Sequence, residues 1–287
     1  MSVVWAFTKR NLICFFREPG AIIAAFLTLI LGLGMYIFFL RGMLIDNTIM
    51  QWGIQVTDHV PGLVDTWVLA GVMAIAAIAT SSGTIQTSFE DRIHGQFKDF
   101  MVTPAKRYEI GLGYVLSTFI FGMIVGVLIL VAAEIFLAIM GMGMGVAAVL
   151  YCIVMLVPAT LSSTIISFSV VNFVKSPAAF TGLFTLICMV SAIFSGAFVP
   201  IGNLPGFFQQ LVALVPATHM VAIFRQAMCT APMEELIDPA DQPQFMVDMG
   251  YDLYLGDFEF SVGTSLLYVA VVTFLFFLIF LVSLHKK

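Results

Sequence analysis

The chain has 287 residues, of which 61% are hydrophobic and only 10% are charged, and its net charge is -5. Ordinary soluble domains carry about 25% charged residues, so this composition excludes a water-soluble globule and makes lipid the solvent for most of the chain. The four cysteines form no CxxC pair and no metal-ligand spacing, and we interpret them as packing residues.

Six apolar stretches are long enough to cross a bilayer, because a spanning helix needs about 20 mostly apolar residues. The stretches are continuous rather than alternating, which favours helices over a β-barrel. We therefore predict an all-α polytopic membrane protein in which a single transmembrane domain covers residues 1–287. The predicted spans are 21–40, 67–85, 111–140, 146–174, 178–199 and 262–284.

The distribution of lysine and arginine predicts the orientation, since these residues are enriched in cytoplasmic loops. With the N-terminus inside, ten of the twelve lie on the inner side, and only Arg41 and Arg225 lie outside. We therefore expect cytosolic N- and C-termini and a multi-pass position in the plasma membrane of a bacterial or archaeal cell.

The first segment, residues 3–18, combines aromatic residues such as Trp5 with the basic residues Arg10 and Arg17. Such a segment can lie in the inner membrane interface with its basic side chains toward the lipid headgroups. We predict an interfacial helix here, and a simple basic flank of the first span is the alternative.

The inner loop between the second and third spans, residues 90–104, mixes charged residues with Phe97, Phe100 and Met101 at helical spacing, and Pro104 ends the run. This pattern predicts a short amphipathic cytosolic helix. Its apolar side needs a partner protein or the membrane surface to cover it. A solvated loop is the alternative.

Glu134 is the carboxylate that lies well inside a predicted span. An ionisable residue at membrane depth is a functional candidate by default. We interpret Glu134 either as a polar point of a translocation pathway or as a side chain that snorkels outward or bonds a neighbouring helix.

The outer segment 195–225 is too broken by prolines and glycines to span the membrane and too apolar to form an open loop. Irregular backbone at membrane depth is tolerated only where protein or a wet cavity satisfies it. We therefore predict short re-entrant helices that form an outer hairpin near a pathway. An acidic extracellular loop, 226–260, follows it, either as a small cap over the exit or as a solvated loop.

Several catalytic motifs are absent from the sequence. It has no Walker A phosphate loop, so the chain cannot hydrolyse ATP by that route, and HExxH and GxSxG are also missing. We therefore expect a non-enzymatic chain with no catalytic, cofactor or metal site and no nucleic-acid partner.

The order of these segments resembles the membrane (permease) subunits of type-2 ATP-binding-cassette (ABC) exporters over nearly the whole chain. That family has an interfacial helix, six spans, a cytosolic coupling helix after the second span and re-entrant outer helices between the fifth and sixth. The coupling-helix pattern E-x-x-x-x-G-T-L-E-x-L-x-V-T-P is matched by Glu90, Gly95, Val102, Thr103 and Pro104, with Phe97 and Phe100 for leucines and Gln96 and Lys98 for Thr and Glu.

A second pattern supports the same resemblance. It reads S-G-x-x-x-P, then L-P, then P-x-T and a later arginine. It is matched by Ser195, Gly196, Pro200, Leu204, Pro205, Pro216, Thr218 and Arg225.

The resemblance implies that ATP and Mg bind to a separate ABC ATPase subunit, present in two copies that dock on two copies of this chain in the lipid bilayer. The coupling helix would make this contact, with Phe97 and Phe100 as buried anchors and Arg92 and Lys98 at the rim. The 28 Phe, against seven Tyr and three Trp, favour a hydrophobic or amphiphilic cargo such as a drug, lipid or peptide. Export of a glycan or lipid-linked polymer is the alternative, followed by an ATP-independent channel or carrier and, last, a membrane enzyme.

Overall fold

The computed structural model describes residues 2–17, 30, 33–55, 57, 59–194, 196 and 199–285. Its helices are α1 (Val3–Phe16), α2 (Arg41–Trp52), α3 (Val60–Ile93), α4 (Gln96–Met101), α5 (Arg107–Ile139), α6 (Val146–Val171), α7 (Pro177–Phe194), α8 (Gly206–Ala213), α9 (Pro216–Leu236), α10 (Gln242–Asp248) and α11 (Val262–His285). A π-helical turn (Tyr36–Leu40) leads into α2, and a 3-10 turn (Ile201–Asn203) precedes α8. Strands β1 (Leu253–Leu255) and β2 (Phe258–Phe260) form an antiparallel hairpin in which Leu253 pairs with Phe260.

The described residues contain six helices that are long and apolar enough to cross a membrane, which confirms the polytopic all-α prediction. They are Leu33–Trp52, Val60–Ile93, Arg107–Ile139, Val146–Val171, Pro177–Phe194 and Val262–Ser283. The number of spans becomes seven if α8 and α9, which meet at 90°, are counted as one bent span.

The first span differs from its predicted range of 21–40. Much of that range lies outside the described residues, and the helix does not end at Leu40 but continues to Trp52. The prediction stopped at Arg41 because a charge normally leaves the membrane, whereas this arginine is paired inside the protein.

Helix α3 is the centre of the molecule and packs against α2, α5, α6, α7 and α9. In its most apolar stretch 89% of the residues are buried, against 17% for the first span and 11% for α7. Pro61 occupies the first turn, where a proline costs no hydrogen bond. The helix is longer at both ends than the predicted span 67–85, so Asp65 and residues 90–93 belong to it.

The acidic segment 226–260 is not a loop. Helix α9 extends through Leu236, and α10 and the β hairpin follow it. Phe245 and Tyr251 are buried, and the Phe245 ring lies 5.2 Å from the ring of Trp52 in α2. These apolar anchors hold a small outer unit, residues 237–260, against the helical bundle even though its surface is acidic.

Candidate functional site

The predicted coupling segment 90–104 is two helical pieces rather than one helix. Glu90 and Arg92 end α3, and Gly95 then reverses the chain with a φ of 82°, a left-handed conformation that favours glycine. Helix α4 follows for six residues. After it, the Thr103 hydroxyl donates to the Phe100 carbonyl at 2.6 Å, and Pro104 prevents further helix.

The two phenylalanines of α4 pack into this chain. Phe97 and Phe100 are partly buried against a hydrophobic cluster that includes Phe89, Ile110 and Phe168. The Phe100 ring meets Phe7 of α1 edge to face at 5.0 Å, and the Arg10 guanidinium lies over it at 5.1 Å. Both rings therefore fasten α4 to its own bundle, and their role as buried anchors for a partner subunit stays a prediction.

The exposed surface around α4 is formed by other residues. Val102 is 87% exposed and Ile93 is 42% exposed, although both are apolar. Thr103 and Pro104 beside them are also exposed. Arg92 is partly buried, and the Lys98 side chain lies outside the described part of the chain.

An arginine–aspartate–tyrosine cluster, which we call the inner triad after the predicted orientation, joins α1, α3 and α5. Two nitrogens of Arg10 donate to the Asp91 carboxylate at 2.5 and 3.2 Å, and the Tyr114 hydroxyl donates to the same carboxylate. The hydrogen bonds to Asp91 raise the pKa of the Arg10 guanidinium, although burial opposes this. The prediction that Arg10 points to the lipid headgroups is thus wrong.

The other residues of α1 divide into two faces. Thr8, Asn11 and Phe15 are buried against α5, whereas Trp5 and Phe16 are about half exposed. Arg17 is exposed. One apolar face therefore remains open on the helix that was predicted to lie in the interface.

An outer cluster, the outer triad, repeats the same chemistry at the other end of α3. Arg41 binds Asp65 through two nitrogens at 2.8 and 2.9 Å, and the Tyr36 hydroxyl donates to Asp65 at 2.7 Å. Asp65 is fully buried. The prediction named Glu134 as the carboxylate inside a span and missed Asp65, which lies within α3, although a lone acid in an apolar run was the available signal.

Glu134 has a local partner. Its carboxylate accepts a hydrogen bond from the backbone N–H of Met144 at 3.0 Å, in the turn between α5 and α6. The side chain therefore fixes this turn rather than bonding a neighbouring helix, and a role of Glu134 in the pathway stays a prediction.

Arg225 is fully buried and compensated by carbonyl groups rather than by an acid. It donates to the carbonyl oxygen of Met249 at 2.8 Å and to that of Gly196, and it stacks on the Trp67 ring at 4.1 Å. The Trp67 indole N–H donates to the same Met249 oxygen at 2.8 Å. Arg225 thus ties α3 to the beginning of the outer hairpin and to the outer unit.

The remaining hairpin residues shape its turns. The Thr218 hydroxyl donates to the Phe194 carbonyl at 3.1 Å, and Pro216 begins α9. Pro200, Leu204 and Pro205 flank the 3-10 turn and the start of α8. Ser195 lies outside the described residues. The 90° bend between α8 and α9 fits the predicted broken hairpin, but α9 runs eleven residues beyond its predicted end at Arg225.

A seam of small hydroxyl residues between α3 and α6 was not predicted. The Ser81 and Ser163 hydroxyls are 3.0 Å apart, and Ser163 donates to the Ala77 carbonyl at 2.9 Å. Small polar residues allow close approach of helices in lipid and bond across them. The seam therefore fixes α3 to a second helix between the two triads.

These features define a polytopic helical membrane protein whose buried charges tie helices to one another. Within the described part of the chain, no group of three or more His, Cys, Asp or Glu side chains could hold a metal ion. The family model of the ABC-2 type transporter matches residues 2–229, which is most of the chain. The chain therefore belongs to the ABC-2 type transporter family, as the resemblance predicted. No curated protein matches the sequence.

Membership of this family makes the chain the transmembrane component of an ABC transporter. It is a multi-pass membrane protein and a transport subunit rather than an enzyme in its own right. The family also implies association with an ABC ATPase subunit.

Proposed function

We propose that this chain forms the membrane half of an ATP-driven exporter, which moves a hydrophobic or amphiphilic molecule outward across the plasma membrane. Two copies of the chain pair, and two ATPase subunits that hold ATP and Mg dock on their cytosolic faces. Drugs, lipids and peptide-like molecules are the cargo classes that fit.

The observation that carries the proposal is the apolar surface beside α4. Ile93 is exposed at the end of α3, the most buried of the spanning helices, and Val102 is exposed directly after α4. Contiguous exposed apolar surface is typical of a protein contact, and these two side chains are proposed to belong to such a surface. A partner that binds here would contact the end of the central helix α3 directly.

The internal contacts of α4 supply a route for that force. Phe100 is fastened to Phe7 and lies beneath Arg10, and Arg10 is bound to Asp91. A displacement of α4 would therefore move α1 and α3 together. Closure of the ATPase subunits could then rotate the two halves as rigid bodies and open the pathway outward.

The buried charges favour an uncharged or amphiphilic cargo. Asp65 and Asp91 are each bound by an arginine of this chain, and the buried Arg225 donates to carbonyl groups of this chain. An ion carried through the bundle would need to be desolvated without an opposite charge to receive it, which is costly. The desolvation of an apolar or weakly polar molecule does not carry this free-energy cost.

The test uses the chain co-expressed with an ABC ATPase subunit and reconstituted into vesicles. The Val102→Asp substitution places a charge on the proposed contact, and Val146→Asp, at the start of α6, is the control at a position of comparable exposure. A buried charge costs several kcal/mol, so we expect Val102→Asp to reduce co-purification of the ATPase at least about tenfold. The control should leave it unchanged.

Transport is measured in the same vesicles as ATP-dependent movement of a fluorescent amphiphile. We expect movement that requires both ATP and the ATPase subunit, and that Val102→Asp abolishes. Movement by this chain alone would identify a channel or carrier instead. ATP-dependent movement of a lipid-linked glycan, but not of the amphiphile, would favour the polymer exporter.

A further inference from the structure

A cavity of about 120 Å³ opens on the outer side of the molecule between α2, α3 and the 3-10 turn. Its apolar wall is formed by side chains of α2 and α3, and its polar wall by three side-chain amides. The residues that matter for its chemistry are Leu44, Asn47, Gln51, Val64, Trp67 and Asn203.

The three amides are free to bind a ligand. The side chains of Asn47, Gln51 and Asn203 have no hydrogen-bond partner among the residues described here, and all three are exposed. The hydroxyl of Thr48 beside them is already used, since it donates to the Leu44 carbonyl at 2.8 Å. Each free amide offers both donors and an acceptor.

No charged side chain lines the cavity within the described ranges. The nearby arginines are not open to a ligand, because Arg41 is bound to Asp65 and Arg225 is fully buried with two of its hydrogen bonds to the carbonyl oxygens of Met249 and Gly250. A charged group would lose its hydration here without gaining an opposite charge. A neutral group would lose only hydrogen bonds to water, and the amides can replace them.

One face of the first span changes from apolar to polar at this level. Phe39 is 76% exposed and Met43 is 52% exposed, and Asn47 and Gln51 follow on successive turns. Residues four apart lie on the same side of a helix. The face therefore presents an apolar strip that leads into the cavity at Met43 and an amide strip beyond it.

From this arrangement we infer that the cavity binds the uncharged, hydrogen-bonding head group of an amphiphile, with the apolar chain along Phe39 and Met43. A volume of 120 Å³ corresponds to about four water molecules at roughly 30 Å³ each, which is the size of a glycerol or small amide head. The ligand can be the exported cargo or a resident membrane lipid. The first of these alternatives rests on the proposed function, whereas the site itself does not.

Binding can be measured through Trp67, which lies in the cavity wall. The sequence contains three tryptophans, so Trp5→Phe with Trp52→Phe leaves Trp67 as the sole reporter. The full chain is placed in zwitterionic nanodiscs and titrated with a monoacylglycerol that carries bromine on its acyl chain near the head. We expect saturable quenching of Trp67 fluorescence.

Charged probes test the head-group chemistry. Brominated lysophosphatidylglycerol and a brominated alkyl trimethylammonium carry the same reporter atom on an anionic and a cationic head. Half-maximal quenching by the monoacylglycerol should need at least about tenfold less probe, because neither charged head finds a counter-charge. Equal quenching by all three, or quenching that rises without saturation, would overturn the inference.

Variants test the amides. Asn47→Leu with Gln51→Leu keeps the side-chain volume but removes two hydrogen-bonding groups, so binding should weaken about tenfold or more. Met50→Leu, which is exposed on α2 outside the cavity, is the control and should bind as before. Asn203→Leu removes the third amide from a separate element, so the test survives if the double variant does not fold. Unchanged quenching in folded amide variants would contradict the site.

Adding the ATPase subunit and ATP distinguishes the two sources of ligand. Relief of quenching on ATP addition identifies the site as part of the export route. Quenching that persists through ATP turnover identifies a resident lipid, and either result supports the site. Because the titration needs no ATPase, saturable binding without ATP-dependent transport would reject the proposed function while leaving the site intact.

Discussion

The two ends of the central helix carry the same chemical arrangement. Asp65 near its beginning and Asp91 near its end each bind two nitrogens of an arginine and the hydroxyl of a tyrosine. They are 26 residues apart, which at about 1.5 Å per residue is roughly 39 Å. This length is close to the ~40–45 Å thickness of a bilayer with its headgroups. Both triads therefore fit the depths at which lipid gives way to water.

The two triads differ in what they join. In the outer triad, both partners of Asp65 come from one short stretch of the first span, so it fastens one neighbouring helix to α3. In the inner triad, Arg10 comes from α1 and Tyr114 from α5, and Arg10 also lies over Phe100 of α4. We infer that the outer triad fixes a position, whereas the inner triad can pass a movement of α4 to three other helices.

The largest expected effect is that of Asp65→Asn in the outer triad. The substitution keeps the size of the side chain but leaves Arg41 without its counter-charge next to a fully buried site. Breaking a buried ion pair typically costs several kcal/mol, and we expect a loss of about 3 kcal/mol in unfolding free energy. Reversible unfolding in mixed detergent micelles measures it.

A double-mutant cycle controls for side-chain loss at this site. Arg41→Ala combined with Asp65→Asn should cost less than the sum of the single changes, because the second change removes the orphaned charge. Additive costs would show that the pair contributes no coupling energy, and the outer triad would then not act as a fixed joint.

Asp91→Asn is the matched change in the inner triad, and its expected cost in stability is smaller, about 2 kcal/mol. The Asp91 side chain is slightly exposed whereas that of Asp65 is fully buried, so water reaches the broken pair more easily at Asp91. The expected effect of Asp91→Asn on transport is larger than that of Asp65→Asn. With the ATPase subunit present, Asp91→Asn should lower the amount of amphiphile moved per ATP hydrolysed, and Asp65→Asn should leave that ratio unchanged. The distinction between the triads fails if both variants change the ratio equally.

The sequence predicted the number of spans, the family and the places where the chain turns on either side of the membrane. These features depend on local signals, namely apolar runs, glycines such as Gly95 and prolines such as Pro104. It did not predict the triads. Their partners are separated by between 23 and 81 residues, and a contact over such a distance leaves no trace in hydrophobic periodicity.

The same limit explains the errors in helix ends. The prediction ended the first span at the charge of Arg41 and began the second span after the charge of Asp65. Because Arg41 and Asp65 neutralise each other, the two helices continue through these charges. In the outer unit, the many acidic residues obscured Phe245 and Tyr251, which are the apolar residues that fold it.

Asp252 in the outer unit is a carboxylate without an arginine, and it gives the smallest expected effect. Gln226 donates to it at 3.0 Å, and burial together with the nearby Glu259 raises the pKa of Asp252. Because the folded state then holds the proton of the Asp252 carboxyl more tightly than the unfolded state, Asp252 lowers the free energy of unfolding as pH rises above about 4. Asp252→Asn keeps an acceptor for Gln226 and removes the charge, so we expect a gain of less than about 1 kcal/mol at pH 7 that vanishes at about pH 3. Unfolding measured at both pH values decides this, with Asp257→Asn on the nearby turn as the control. A loss of stability at pH 7 would mean that the charged Asp252 stabilises the fold without an arginine partner. The arginine partners would then not be what distinguishes Asp65 and Asp91 from other acidic residues.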